Sequence, residues 1–574
     1  MKRIIFLIIA TLLVLGIVLP GCGGGGGGAW SPYVSLKTPG KLTIGVTGAM
    51  GYDQGLHALY GAQLAAVDVG SFAVGNQTLT VQIQSIETNE VLNPGGAGGT
   101  AAVSAAISSC DFMVGGFRTE GVIVYREPIM SANMTFINCG AATEILQNAV
   151  LTNYPRYKYF FKGTPMNEYQ LGESQSKLLN MIVPLARTVS GCSTYLPKIA
   201  LLAEDAEWTR TSRDWAQWKF AAKGYNVSAT PWLVSPTAVN IGTTLGLIAA
   251  TNPDIVYCIF SGPVGITYGN TVGDYMPSVL SVGINVEAQR QEFPGAAKYA
   301  GPTTGVNSSG MVFLDGWALG VNMTANTAKF IADFMAAHSG KWPIYTAATY
   351  DACRTLVEAL QNKGIVEGST VKFDQREIVA FMEGSVRTGT ASTSGVYPMW
   401  DGVTLGNWSR GYGYPIYSNL PALNETQVLA LYPWLTSAKF NSGPPGYTTF
   451  NWSYSPNDFT MPPYTPHDLI YGLRGADQST WATGIASQWQ GVTGNLSKVG
   501  VWPKNYIAAL GLPAFNMTSW LGYLAGAPNP VVIFTAQYVE VWDRYGWWNW
   551  EYPGTGSINI TGWAFWLKTK YGIP

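Results

Sequence analysis

Charge is scarce in this chain. Only 12% of its 574 residues are Asp, Glu, Lys or Arg, and 33 basic residues nearly cancel 34 acidic ones. No basic face is therefore expected to attract nucleic acid or anionic lipid. Histidine is scarcer still. His57, His338 and His467 are scattered without metal-ligand spacing, and no C-x-x-C knuckle is present, so no metal site is expected. There is no Gly-x-Ser-x-Gly elbow, no phosphate-cradling Gly-x-x-x-x-Gly-Lys loop and no dinucleotide fingerprint in the right context. The one glycine-rich candidate, Pro94 to Gly99, lacks the lysine that a phosphate loop needs and reads as a turn. These absences argue against an enzyme, and no catalytic residue or cofactor is expected.

What is present begins at the N-terminus. Lys2 and Arg3 precede a single long apolar run, Ile4 to Leu19, the anatomy of a secretory signal over residues 1–21. Sixteen residues is short for a spanning helix. Leu19-Pro20-Gly21-Cys22 resembles a lipobox, although Pro20 departs from it, and Cys22 would then carry a lipid anchor. Six glycines follow, and residues 22–40 read as anchor and flexible tether. Eleven Asn-X-Ser/Thr triplets, from Asn76 to Asn559, read as glycan acceptors of an exported protein. Five more cysteines remain, an odd number. Cys110 and Cys139 bracket one strand-helix unit and are the expected disulfide, whereas Cys258 lies in an apolar strand and reads as core.

From Lys41 short apolar runs alternate with longer amphipathic ones. Strands are expected at Leu42–Val46, Leu79–Ile86, Phe112–Val114 and Thr135–Ile137, with helices at Gly55–Val69 and Gly99–Ser108. Lys198–Ala203 restarts the pattern. A helix over Trp208–Lys223, a strand over Asn226–Leu233, a helix over Ile241–Ala250 and a strand over Asp254–Phe260 follow. The fold class is α/β, as two doubly wound parallel-sheet lobes. A ligand cleft is expected between them, where strand carboxyl ends and helix N-termini converge.

The order of these segments resembles the type I periplasmic binding proteins of branched-chain amino acid and amide ABC importers. Leu42 to Gly51 with Gly61-Ala-Gln-Leu-Ala-Ala is similar to that family's opening strand, ligand loop and first helix. Asp111 to Glu120 and Phe136 to Leu146 are similar to its next ligand loops. Lys198 to Trp208 resembles the start of its second lobe, and Tyr345 to Leu360 the helix returning to the first. His467 to Tyr471 and Gly484 to Pro503 resemble its closing hairpin. The resemblance implies lobe one over residues 41–160 and 311–400 and lobe two over 161–310 and 465–503. An insertion over 401–464 and an aromatic C-terminal extension over 504–574 have no counterpart. Eight of the 21 tryptophans lie in the stretch from Trp502 to Trp566, and the extension reads as a small β-rich core.

The resemblance also nominates site residues. Arg118, Thr119, Glu120, Ala141 and Thr143 are the lobe-one candidates, with Tyr52 and Asp53 of the first loop poised over the cleft. Backbone N–H groups at a helix N-terminus would hold a carboxylate, and Arg118 would pair with it bidentately. The family commonly has a small hydroxyl pair where Arg118-Thr119-Glu120 stands. In lobe two Trp208 would close over the ligand, Ser261 and Gly262 follow a strand end, and Glu287 would receive an ammonium. The implied function is an extracellular solute-binding protein on the outer face of the cytoplasmic membrane. It would capture an amino acid, amide or similar small polar ligand for an ABC transporter permease. The anchor and the glycan triplets together suit an archaeal cell surface. A structural or adhesive glycosylated surface protein that has kept the clamp fold, and a sensory ectodomain, are the alternatives.

Overall fold

The computed structural model describes residues 32–383 apart from 94, 144, 164–166, 191, 193, 297–309 and 319–325. It also describes residues 467, 473–474, 479–480, 485–492, 495–502 and 561–571. The chain divides into a unit Met1–Val34, described only for residues 32–34, and a unit Ser35–Pro574. The expected signal, Cys22 and the 401–464 insertion lie outside the described residues.

Within the larger unit the elements alternate as the apolar periodicity requires. The first half comprises β1 (Lys41–Gly48), α1 (Asp53–Val69), β2 (Ser71–Val74), β3 (Gln77–Glu87), α2 (Ala97–Ala106), β4 (Phe112–Gly115), α3 (Thr119–Ser131), β5 (Phe136–Asn138), α4 (Ile145–Thr152) and β6 (Phe160–Lys162). Its six-stranded sheet runs β2-β3-β1-β4-β5-β6, parallel except for the β2–β3 hairpin. The second half comprises α5 (Glu168–Ser190), β7 (Lys198–Glu204), α6 (Glu207–Ala222), β8 (Asn226–Val227), β9 (Trp232–Val234), α7 (Gly242–Ala250), β10 (Ile255–Phe260), α8 (Val264–Tyr275), β11 (Leu280–Asn285) and β12 (Val312–Asp315). Then α9 (Thr327–Ala337) and α10 (Thr349–Lys363) lead to β13 (Ile365–Glu367), β14 (Thr370–Phe373) and α11 (Gln375–Glu383). The hairpin β15 (Ile485–Val492) and β16 (Asn495–Trp502) precedes α12 (Thr561–Lys570). The second sheet runs β9-β7-β10-β11-β12-β15-β16, with β8 beside β7. All of β10, Ile-Val-Tyr-Cys-Ile-Phe, is buried, as expected of a central parallel strand covered by helices on both faces.

Two α/β lobes are therefore present, and the chain crosses between them more than once. Val312–Asp315 pairs with β11, so the return to the first lobe follows Asp315 instead of beginning at residue 311. It reaches α10 through a turn, Tyr345–Ala348, that packs on α1 so closely that a Cβ on Gly61 would lie 2.2 Å from the Ala347 carbonyl oxygen. His467, expected in lobe two, sits against the first sheet. Its carbonyl accepts the Lys162 N–H at 2.9 Å and its ring stacks on Phe161 at 4.0 Å. The closing hairpin then joins the second sheet through β12 and β15, antiparallel. A buried Lys498–Asp315 ion pair at 2.5 Å fastens it there.

Three expectations change. The Asn226–Leu233 strand is broken into β8 and β9. No disulfide joins Cys110 and Cys139. Gly115 pairs with Asn138 across parallel strands, so Cys110 enters the sheet where β4 begins and Cys139 leaves it where β5 ends. Six extended residues separate those levels, about 20 Å, against a disulfide limit of about 7 Å between Cα atoms. The described part of the C-terminal extension is helix α12, not β structure. Leu567 is buried, and Lys570 Nζ reaches Asp254 Oδ1 at 2.6 Å. No helix among the described residues is long and apolar enough to cross a membrane.

Candidate functional site

Parallel strands deliver their carboxyl ends to one edge of a sheet, and the loops leaving those edges of the two sheets meet each other. In the first lobe the loop after β4 is Gly116-Phe117-Arg118. Gly115 and Gly116 have φ of +105° and +85°, which an L side chain rarely adopts. A Cβ on Gly140, in the loop after β5, would lie 1.8 Å from the Gly116 carbonyl oxygen, so the two loops pass at backbone contact. This tight turning places Arg118 at the N-cap of α3, with no side chain capping the helix.

Arg118 is 2% exposed, and its Nη1 meets Glu204 Oε1 of the second lobe at 2.7 Å. Glu204 ends β7 and is fully buried. Its carboxylate also accepts Trp208 Nε1–H at 2.8 Å, Ser261 N–H at 3.0 Å, Gly262 N–H at 2.9 Å and the Ser261 hydroxyl. Burial pushes the Glu204 carboxyl up, but the Arg118 charge and these donors outweigh it and hold the group below its ordinary value. The guanidinium's other edge is different. Among the described residues, Arg118 Nε and Nη2, together with Thr119 Oγ1, are buried without a hydrogen-bond partner.

Behind Arg118 lies a second buried acid. Glu90 Oε2 accepts the Arg118 N–H at 3.0 Å and the Tyr125 hydroxyl at 3.2 Å, and Oε1 accepts the Thr88 hydroxyl at 3.0 Å. Burial pushes its carboxyl up to about 7 against these hydrogen bonds. Ala49, Val91, Phe117, Val286, Ile344 and Tyr345 form a small apolar cluster, with Tyr52 packed against it, that draws on both lobes.

Further polar contacts join the lobes. Gln54 Nε2 donates to Glu287 Oε1 at 2.9 Å and to the Ser261 carbonyl at 3.1 Å. Arg290 pairs with Asp53 at 2.6 Å and with Glu287 at 2.5 Å. Glu120 Oε1 accepts the Glu207 N–H at the start of α6, at 2.7 Å. The structure thus brings together Tyr52, Asp53, Arg118, Thr119, Glu120, Trp208, Ser261, Gly262 and Glu287. The acid expected to receive an ammonium, Glu287, is taken up by Gln54 and Arg290. Ser261 and Gly262 are taken up by Glu204. Ala141 and Thr143 serve a neighbouring polar group instead. Ala141 N–H donates to Asn138 Oδ1 at 3.1 Å, and the Thr143 hydroxyl to Glu168 Oε1 at 3.3 Å. Sequence reasoning missed Glu204, Glu90, Gln54 and Tyr345. Glu204 left one signal, an acid placed directly at the carboxyl end of an apolar strand. Among the described residues no group of three or more His, Cys, Asp or Glu side chains could hold a metal ion.

The fold and site define a two-lobed α/β clamp whose strand-end loops face each other. No protein-family model and no curated protein matches the chain. Among solved structures, it is similar to a solute-binding protein of an ABC transporter from R. palustris in complex with benzoate. That likeness has a TM-score of 0.49 and 15% identity over 61% of this chain and 88% of that one. It is also similar to the branched-chain amino acid transporter substrate binding protein from Streptococcus pneumoniae in complex with isoleucine, with a TM-score of 0.47, 14% identity and coverage of 62% and 91%. A leucine binding protein from Thermotoga maritima gives 0.47, 14%, 61% and 89%.

Proposed function

We propose that this protein is an exported solute-binding protein. It captures a small carboxylate-bearing molecule between its lobes and presents it to an ABC transporter permease, held to the outer face of the cytoplasmic membrane by a lipid on Cys22. One observation carries the reading: the Nε/Nη2 edge of Arg118, buried and without a hydrogen-bond partner among the described residues, beside the uncapped N-terminus of α3. That edge is a planar two-donor fork that matches a carboxylate. The first N–H groups of α3 and the helix dipole favour an anion at the same place, and the Thr119 hydroxyl, without a hydrogen-bond partner among the described residues, adds a third kind of donor. Leaving a buried donor unpaired costs about 1–3 kcal/mol, so a guest that satisfies the fork stabilises the closed clamp. The apolar cluster of Phe117, Val286 and Tyr345 supplies a wall for the rest of the guest. Asn76, Asn133 and Asn226, the glycan acceptors whose side chains are described, are all exposed, which supports an exported chain.

The test is thermal unfolding of the wild type and Arg118→Met against amino acids, other small carboxylates and their amides. A carboxylate at 100 times its dissociation constant adds about 2.7 kcal/mol to the wild type. The matched amide and the Arg118→Met variant should lose at least tenfold in affinity, about 1.4 kcal/mol. If no compound in the panel shifts the wild type, the reading fails. A second reading, a structural surface protein that has kept the clamp, is favoured by one observation: Glu204 already fills the second lobe's donors.

A further inference from the structure

We infer that Glu204 is a built-in ligand, a carboxylate rooted on the second lobe that closes the clamp by engaging Arg118 of the first. This rests on reading the molecule as a two-lobed clamp and concerns how that clamp is regulated. Ser261 and Gly262 open the loop before α8, and with Trp208 they form a nest of donors of the kind that would grip a guest's carboxylate. The nest is filled from within. Four donors of the second lobe, Trp208 Nε1, Ser261 N, Ser261 Oγ and Gly262 N, converge on Glu204. Among the described residues, Arg118 Nη1 is the one donor that comes from the first lobe. The contact is tight, because a Cβ on Gly262 would lie 2.7 Å from Arg118 Nη2. Opening the lobes would separate Arg118 from Glu204 and give up a buried, charge-assisted contact, which favours the closed state.

The consequence is a clamp that is closed before any guest arrives. A guest does not supply the charge that joins the lobes; it fills the edge of Arg118 that Glu204 leaves over. Shape and contact on lobe one then govern its selection more than the second lobe's donors do. Without the latch, the nest becomes an empty site for a free carboxylate.

Hydrogen exchange followed by mass spectrometry tests this on the whole chain. The Glu207 N–H is the reporter, because it bonds Glu120 of the other lobe and does not touch Glu204. In Glu204→Ala the amides of Glu207, Ser261 and Gly262 should exchange at least tenfold faster, while those of Ile255 to Phe260 keep the wild-type rate. Excess sodium formate should restore the slow rate, and equal sodium chloride should not. Glu204→Gln, whose side chain still fills the hole, should exchange fast at Glu207 with or without formate. Arg118→Met should do the same, and these two variants carry the test if Glu204→Ala does not fold. Acceleration at Ser261 and Gly262 with Glu207 unchanged would mean that Glu204 only orders its own loop, and the inference would fall. Uniform acceleration through β10, or no response to formate in Glu204→Ala, would also overturn it. These outcomes use no added guest, so they stand or fall apart from the carboxylate panel.

Discussion

Replacing Glu90 with glutamine should flatten the pH dependence of stability in the acid range. Glu90 is 1% exposed, and burial lifts its carboxyl from 4.5 to about 7 in the folded chain. The unfolded chain ionises near the ordinary glutamate value. Between those values the folded state holds a proton that the unfolded state has released. Rising pH therefore favours unfolding, and the wild type loses stability from about pH 4.5 until the folded carboxyl itself ionises near 7. At 1.36 kcal/mol per unit the full span comes to about 3 kcal/mol, an upper figure because the surroundings can relax around the charge. Glutamine keeps the shape and one carbonyl acceptor for the Arg118 N–H but never ionises. Asp111, also pushed up, to about 6, and Glu204, pulled down, are present in both proteins, so their contributions drop out of the difference. Urea unfolding followed by tryptophan fluorescence, at steps from pH 4.5 to 8, measures that difference directly. The wild type should fall relative to Glu90→Gln by on the order of 2–3 kcal/mol up to pH 7 and then run parallel to it. A difference that stays constant from pH 4.5 to 7, or that moves in favour of the wild type, would refute a protonated Glu90 beneath Arg118.

A double-mutant cycle with Arg118→Met and Glu204→Leu should give single losses of about 3–5 kcal/mol each, since each leaves a buried charge alone. The double variant should cost less than their sum by more than about 1 kcal/mol, and additive losses in chemical unfolding would show that the pair is not coupled. Gly140→Ala forces a Cβ to within 1.8 Å of the Gly116 carbonyl oxygen. It should cost at least about 3 kcal/mol, read as a lower unfolding midpoint, whereas a neutral result would mean that the two loops are not in backbone contact. Dithiothreitol should leave the thermal midpoint unchanged, and intact-mass measurement after alkylation of the unfolded chain should show Cys110 and Cys139 both modified without reduction. Protection of that pair until reductant is added would restore the disulfide.

Much of the scaffold was legible because it rests on local pattern. The uninterrupted apolar run of β10, the alternation from β1 to α3 and the turn glycines identify parallel strands joined by helices, whatever lies around them. The C-terminal helix was not foreseen because aromatic content reports burial, not backbone conformation: Trp566 packs as readily from a helix as from a strand. The cysteine pair was misread because closeness along the chain says nothing about which end of a sheet each residue occupies. The site divided the same way. Arg118, Thr119, Trp208 and Ser261 could be nominated because the family resemblance pointed to the loops that leave strand ends and open helices, positions that sequence order marks. Glu204, Glu90 and Gln54 could not be given their partners. Arg118 and Glu204 stand 86 residues apart, and nothing in their flanking residues specifies a meeting that depends on two sheets facing each other. Sequence alone determined the two lobes and the edge where their loops gather, because hydrophobic period and turn chemistry act over a few residues. Only the tertiary structure decided which charges are spent on one another and which remain for a guest, because burial and pairing are properties of the assembled interface.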